Sequence, residues 1–351
     1  GERQQEAAPE TVAVSWGQRG SWTIYSAVPS ALLLGVTAHI STDIAAVPLL
    51  WVVPLTLYLL TFVIVFARRP AIRHSLAVRL QPIVIVLLVA LFLWRNPAIL
   101  LLPLHLFAFF LTALMCHGEL ARRRPPAAAL TEFYLFMSIG GVLGGMFTAL
   151  LAPLIFSGVW EYPIAIAAAC ALLPAARRAV QASDLIFAAV AFALLLAIGE
   201  VATAWFDVNT MIAGAFAVPI LALLAFPRPR RPLGFALAVA AILAGALLTM
   251  VPETTLFRGR SFFGIYRVAE TDDGRFRMLY HGPTLHGGQR LLPGPRYGPI
   301  AYYTRRSPVA EVIRRAQANA DARRMGLVGL GAGSLACYYR QGDDWRFYEI
   351  D

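Results

Sequence analysis

Long stretches without a charged side chain constrain this chain most. Between residues 46 and 66, and again between 233 and 251, no Asp, Glu, Lys or Arg occurs. About 20 apolar residues in a helix cross the hydrocarbon of a bilayer, and such a helix has no polar face to offer water. Eight spans are expected on this basis: 46–66, 82–94, 98–116, 132–156, 162–175, 185–202, 211–226 and 233–251. Two of these, 82–94 and 162–175, are short and need flanking residues or little tilt. A ninth stretch, 25–40, contains Pro29 and Gly35 and reads either as a span or as an interfacial segment. Only 14% of the residues are charged, against about 25% in soluble domains, so lipid is the natural solvent for most of the chain.

The net charge of +10 comes from 30 basic residues, all of them Arg. They fall in short clusters between the apolar runs: Arg68, Arg69, Arg73 and Arg79; Arg122 to Arg124; Arg177 and Arg178; Arg228 to Arg231. Alternate connections carry little positive charge. That pattern holds loops on the cytoplasmic side and argues against a nucleic-acid partner. The expected location is a multi-pass inner (plasma) membrane of bacterial type. A single span over 233–251 starts from an Arg-rich loop, so the segment after it should emerge on the far side. Which side it occupies is left open by these residues. The three cysteines, Cys116, Cys170 and Cys337, follow no metal or disulfide spacing.

Three regions are expected: a polar lead-in over 1–24, a transmembrane domain of about eight or nine helices over 25–251, and a charged, strand-rich tail over 252–351. In the tail, 261–270 and 276–280 read as strands joined by Asp272-Asp273-Gly274, a strong hairpin turn. A Gly/Pro-rich stretch over 293–299 leads to a helix near 308–319. A strand at 325–329, a glycine loop, a helix start at 334–339 and a strand at 346–349 follow. That order is the opening of a doubly wound, Rossmann-like α/β domain.

The glycine loop carries the sharpest signal: Val328-Gly329-Leu330-Gly331-Ala332-Gly333-Ser334-Leu335-Ala336, followed by Phe347-Tyr348-Glu349-Ile350-Asp351. Glycines let a backbone turn tightly out of a strand and approach a ligand closely. An acidic residue about 20 positions on can accept from ribose hydroxyls, and Glu349 is so placed. With Ser334 where a dinucleotide loop has its third glycine, the form suits an adenosine ligand without pyrophosphate. The alternative is a ligand-free glycine turn between strand and helix.

These residues, together with Tyr280-His281-Gly282-Pro283-Thr284-Leu285-His286-Gly287-Gly288-Gln289 and Gly298-Pro299-Ile300-Ala301-Tyr302-Tyr303, resemble the spermidine synthase (polyamine aminopropyltransferase) family in its membrane-fused form. Ser41-Thr42-Asp43 leading into Pro48-Leu49-Leu50-Trp51 is similar to the membrane part of the same proteins. The resemblance implies a β-hairpin region followed by a Rossmann-like fold. It implies S-adenosylmethionine or its decarboxylated form as co-substrate, with no permanently bound cofactor, and a small amine as acceptor. It places Gln289 against the nucleoside, Gly329, Gly331 and Gly333 around it, Glu349 on the ribose, and Tyr302 or Tyr303 near the amine. Two departures stand out. Ala332 occupies the place of an acidic residue that holds the donor's amine, and the family's catalytic aspartate would lie beyond Asp351. Since the chain starts at Gly1 and stops inside a motif, it is expected to be a fragment, with the catalytic residues unknown.

Other residues invite chemistry with weaker claims. His281 and His286, five apart, form a conceivable metal pair, but with no third ligand evident a structural or substrate-lining role is expected and no metal. His39 and Asp43 share a helix face if their segment is helical, marking either a transport path or an interface. His105 reads as a lone core histidine, and Glu132, Glu161 and Glu200 as solvated span ends. Gly140-Gly141 and Gly144-Gly145 form a small-residue face for close helix packing, with a substrate path as the alternative; a homo-oligomer is a further possible partner. Competing classes are a polytopic transporter with a regulatory nucleotide-binding tail and an S-adenosylmethionine-dependent methyltransferase.

Overall fold

The computed structural model describes residues 13–41, 49–92, 98–174, 179–206, 210–226, 231–249, 254–282, 284–291, 298–318 and 324–350. Asp43, Arg177, Arg178, Arg228 to Arg230, the segment 292–297 and Asp351 lie outside these residues. The chain forms two compact units, 1–152 with 159–250, and 153–158 with 251–351.

The first unit is helical: α1 (Trp16–His39), α2 (Val52–Phe66), α3 (His74–Ala90), α4 (Ala98–Arg122), α5 (Leu130–Met146), the first residue of α6 (Ala152–Ile155, whose other residues fall in the second unit), α7 (Glu161–Ala171), α8 (Ala182–Phe206), α9 (Thr210–Ala225) and α10 (Pro232–Thr249). Among the described residues five segments are long and apolar enough to cross a membrane: Trp16–His39, Leu101–Arg122, Ala127–Ile155, Ala182–Val201 and Pro232–Thr249. Val52–Phe66, His74–Ala90, Glu161–Ala171 and Ile212–Ala225 are shorter apolar helices.

Several boundaries differ from expectation for local reasons. α1 starts at Trp16, inside the expected polar lead-in, because Ser15 and Gln18 form a reciprocal cap. The Gln18 N–H donates to Ser15 Oγ at 3.2 Å and the Ser15 N–H donates to Gln18 Oε1 at 2.8 Å, satisfying two backbone donors at the helix start. α3 starts at His74 rather than 82, since Gln81 is buried with the apolar residues and half-buried His74 is paired with Glu119. α7 stops at Ala171, short of Pro174, which disfavours helix in the residue before it.

α1 and α5 cross closely. A β-carbon on Gly140 would lie 2.0 Å from Ser26 Oγ, and one on Gly144 2.1 Å from the Ala27 carbonyl oxygen. Gly141 and Gly145 face away, with nothing nearer than 3.8 Å. The Gly140–Gly144 pair is therefore a packing face. Ser30 Oγ donates to the Gly141 carbonyl at 2.8 Å across the same crossing, and Thr148 Oγ1 donates to the Ala31 carbonyl at 3.2 Å.

Glu161 departs from expectation: it has no solvent exposure. It sits in the first turn of α7, where the helix dipole favours a carboxylate. Glu132 pairs with Arg19 at 2.5 Å, and Glu200 is exposed. His105 is not a lone histidine. Its Nδ1 lies 2.8 Å from the Tyr162 hydroxyl, and its ring centroid is 4.7 Å from that of His39.

In the second unit β1 (Thr255–Ser261), β2 (Gly264–Glu270), β3 (Phe276–His281) and β4 (Thr284–Arg290) make an antiparallel meander in sequence order. The β2–β3 turn carries Gly274 at φ +64°, and the Asp273 carboxylate accepts from the Thr271 hydroxyl and the Arg275 N–H. Those hydrogen bonds hold Asp273 below the usual carboxylate range. β1 and β4, absent from the sequence expectation, complete the sheet. After a short 3₁₀ turn at Ala301–Tyr303, α11 (Pro308–Ala318) begins at Ser307, whose Oγ accepts from the Ala310 N–H. β5 (Arg324–Val328) and β6 (Asp344–Tyr348) pair in parallel, with a 3₁₀ segment Ser334–Tyr338 between them where a full helix start was expected. Burial alternates along both strands, leaving Val328 94% exposed.

Candidate functional site

The end of β5 and the end of β6 meet at the glycine loop. The Gly329 N–H donates to the Tyr348 carbonyl at 2.8 Å, extending the parallel ladder one residue past Val328. The chain then bends sharply. Gly329, Gly331 and Gly333 have φ of +88°, +56° and +68°, a region that costs any residue with a β-carbon. The bend closes when the Gly333 N–H donates to the Leu330 carbonyl at 3.0 Å. The three glycines are thus required by the path of the backbone.

Glu349 follows β6 directly and faces this bend. Its carboxylate accepts from the Leu330 N–H at 2.6 Å and from the Ile350 N–H at 2.8 Å. Two backbone donors from different segments therefore orient one acidic group at the mouth of the loop. The sequence pair of loop and acidic residue is a spatial pair.

β4 forms a wall beside it. A β-carbon on Gly287 would lie 2.6 Å from Ser334 Oγ and 3.0 Å from the Ala332 β-carbon, and Gly287 itself has φ +133°. A β-carbon on Gly331 would stand 4.0 Å from His286 Nδ1. The loop and β4 are in contact through small residues, and Ala332 points at the strand. Gln289 lies two residues beyond Gly287 and so shares its face of the strand, exposed to solvent. Ser334 Oγ is buried with no hydrogen-bond partner.

Tyr302 and Tyr303 sit on the 3₁₀ turn, ring centroids 4.4 Å apart. The Tyr303 carbonyl accepts from the Tyr338 hydroxyl at 2.6 Å, linking the turn to the segment that follows the loop. Partial burial and the neighbouring Tyr303 phenol push the Tyr302 hydroxyl up to about 12, so at neutral pH it is a hydrogen-bond donor and not a base. His286 is held below the usual imidazole value by burial and by the charge of His281. His281 stacks on Tyr266 at 4.5 Å and its Nε2 lies 3.1 Å from the Phe263 carbonyl, which anchors it to the sheet. Among the described residues no three His, Cys, Asp or Glu side chains gather to hold a metal.

The second unit therefore brings Gly329, Gly331, Gly333, Glu349, Ser334 and His286 together, with Gln289 on the adjoining strand face and the tyrosine pair joined through Tyr338. Sequence reasoning named Ser334 in the loop and allowed His286 a substrate-lining role, but missed the approach of β4 to the loop at Gly287; the run Leu285-His286-Gly287-Gly288 was the available signal, since paired glycines in a strand mark close approach of another backbone.

The helical unit holds a second polar group of residues that the sequence reading largely passed over. His74 Nε2 lies 2.7 Å from Glu119 Oε1, Arg123 donates to Glu119 Oε2 at 2.9 Å, and Arg123 also reaches the Tyr25 hydroxyl at 3.3 Å. His117 Nδ1 is 2.6 Å from Thr61 Oγ1. Of these, Arg122 to Arg124 were read as marking a loop, and His74, Glu119, His117 and Thr61 were not singled out. No family model, curated protein or solved structure matches the chain.

Proposed function

We propose that the chain is part of a membrane-embedded, spermidine synthase-like protein whose tail binds a sulfonium nucleoside and takes part in aminopropyl transfer from decarboxylated S-adenosylmethionine to an amine. One observation carries this reading: a loop bent by three positive-φ glycines leaves one strand while Glu349, at the end of the neighbouring parallel strand, is held at its mouth by two backbone N–H groups. In Rossmann-like sheets ligands bind outside the carboxyl ends of the strands, and these are the carboxyl ends of β5 and β6. Adenosine would lie over the glycines, and the carboxylate would accept from the ribose hydroxyls. Gln289 would meet the nucleoside from the β4 side. Tyr302 and Tyr303 would border the amine, with the Tyr302 hydroxyl as a donor.

The transfer is a displacement. The amine nitrogen forms a bond to the carbon beside the sulfonium sulfur, the carbon–sulfur bond breaks, the neutral thioether leaves, and the nitrogen gives up a proton to a base. The protein's part is to align the two reactants and exclude water between them. By the family resemblance that base is an aspartate downstream of Asp351.

A bilayer setting for the helical unit is supported by its surface. Large apolar side chains such as Leu59, Val63, Leu143, Leu150, Ile186, Val190, Phe216 and Leu223 are exposed, far more than a soluble monomer leaves in water. Eight or nine spans with Arg-rich loops in the cytoplasm remain the proposed topology. Product analysis tests the activity. Full-length protein, given decarboxylated S-adenosylmethionine and a panel of diamines, should add an aminopropyl mass increment to an amine; a methyl increment from S-adenosylmethionine instead would make it a methyltransferase.

A further inference from the structure

We infer that the helical unit carries a proton path along the inner stripe of α4, independent of the nucleoside site. His105, Thr112 and Glu119 are buried and spaced seven residues apart, two helical turns or about 10 Å per step. Heptad spacing places all three on one face of the helix. Ionisable groups inside an apolar bundle are costly and mark ion or proton routes by default.

Each station is built by more than one helix. At one end His105 Nδ1 meets the Tyr162 hydroxyl of α7 at 2.8 Å. The His39 ring of α1 lies 4.7 Å from His105 and stacks on Tyr162 at 5.0 Å. At the other end Glu119 is held by His74 of α3 and by Arg123, with Arg122 at 4.0 Å and the Tyr25 hydroxyl of α1 beyond Arg123. Tyr25 and His39 are themselves 14 residues apart on α1, matching His105 and Glu119 on α4, so two antiparallel helices carry polar groups at the same two depths.

The middle station is where a ligand is called for. His74, at the start of α3, pairs with Glu119, near the end of α4. The two helices pack against each other with these ends together, and seven residues inward on each stand Gln81 and Thr112, at about the same depth. Gln81 is fully buried and Thr112 is 1% exposed, and Thr112 Oγ1 has no hydrogen-bond partner. The Gln81 amide lies against the Cys170 thiol of α7, which lies near the Cys116 thiol of α4. A buried hydroxyl left unpaired costs as much as a broken hydrogen bond, and bound water relieves that cost. His117 Nε2, buried beside Thr61 on the α2 side, lacks a partner in the same way.

Water at Gln81 and Thr112 would join the two ends. A proton arriving on His105 or His39 passes to a water, which releases another of its protons to the next acceptor, until the Glu119 carboxylate takes one as O–H and gives it up to solvent water at that end, returning to the carboxylate. Every relay group gains and loses one proton and no electron moves. The titratable and charged groups facing the path among the described residues include His39, His105 and Tyr162 at one end, Cys116 and Cys170 at the middle with His117 and Tyr58 toward α2, and His74, Glu119, Arg122, Arg123 and Tyr25 at the other end.

The test uses the full chain in proteoliposomes loaded with a pH-sensitive dye, with a potassium diffusion potential as the driving force. Acidification of the lumen should exceed that of empty liposomes. Thr112→Val keeps the shape and removes only an unpaired hydroxyl, so a packing role predicts no change, whereas a relay role predicts a rate about tenfold lower, as for one lost hydrogen bond at the relay. Glu119→Gln should fall at least as far, and Thr56→Val, whose hydroxyl only back-bonds to the Val52 carbonyl, should match the parent. Parent flux equal to empty liposomes, or a Thr112→Val rate equal to the parent's, overturns the path. Loss of flux leaves nucleoside binding untouched, so failure of either idea is read separately.

Discussion

Gly144→Ala and Gly141→Ala should move stability in opposite directions, although the two glycines are three residues apart on the same helix. A β-carbon on Gly144 would stand 2.1 Å from the Ala27 carbonyl oxygen, where ordinary contact begins at 3.4 Å, so α1 and α5 must part by about 1.3 Å. The obstacle is backbone and cannot swing aside. Overpacking of this sort costs about 1–3 kcal/mol. Separation also strains the Ser30–Gly141 and Thr148–Ala31 hydrogen bonds, each worth about 0.6 kcal/mol in a membrane protein. Ala gains about 1 kcal/mol of helix propensity over Gly, which leaves a net loss of about 1–3 kcal/mol, five- to 150-fold in the folding equilibrium. Around Gly141 there is nothing within 4 Å, so only the propensity gain of up to about 1 kcal/mol remains. Detergent-induced unfolding in mixed micelles, followed by the fluorescence of buried Trp22, reads both variants. Equal shifts of the same sign would refute the reasoning that the Gly140–Gly144 face makes the crossing.

Three further outcomes are expected. His286 is depressed in the folded tail, so the unfolded chain takes up a proton first. Tail stability should be level above the ordinary imidazole value of 6.5 and decline as pH falls below it; a slope unchanged in His286→Gln would contradict this. Gly287→Ala forces a β-carbon onto Ser334 at φ +133° and should destabilise the second unit by about 1–3 kcal/mol in urea titrations; a neutral result would remove β4 from the wall of the site. Amide exchange should be faster in β5 and β6 than in β2 and β3, because the two-stranded parallel pair has one exposed side while the meander's inner strands are paired on both edges; equal protection would contradict that.

Much of the fold was legible because its signals are local. Uncharged runs marked the helices, Asp272-Asp273-Gly274 marked the β2–β3 turn, and the glycine loop with Glu349 marked a pair of parallel strand ends. What escaped depended on partners far along the chain. β4 holds Gly287 and Gly288, poor strand formers alone, whose lack of side chains lets Ser334 and Met278 approach. The Ser15–Gln18 cap was readable but was outweighed by the polar character of the residues before Tyr25. His105 looked solitary because its partners lie far along the chain, Tyr162 57 residues onward and His39 on the much earlier α1. Glu161 looked solvated because a position at a span end does not reveal which face of the helix it occupies. The spacing of His105, Thr112 and Glu119 was there to be counted, but a polar stripe stands out only once its helix is known to be continuous.

Isothermal titration of the full-length protein with S-adenosylmethionine and with its decarboxylated form tests the central claim most directly. Saturable binding of at least one of them is expected, weakened by about tenfold to a hundredfold in Glu349→Gln, the loss of one or two hydrogen bonds to a charged group. Absence of heat for both ligands, or an unaltered isotherm in that variant, would contradict it.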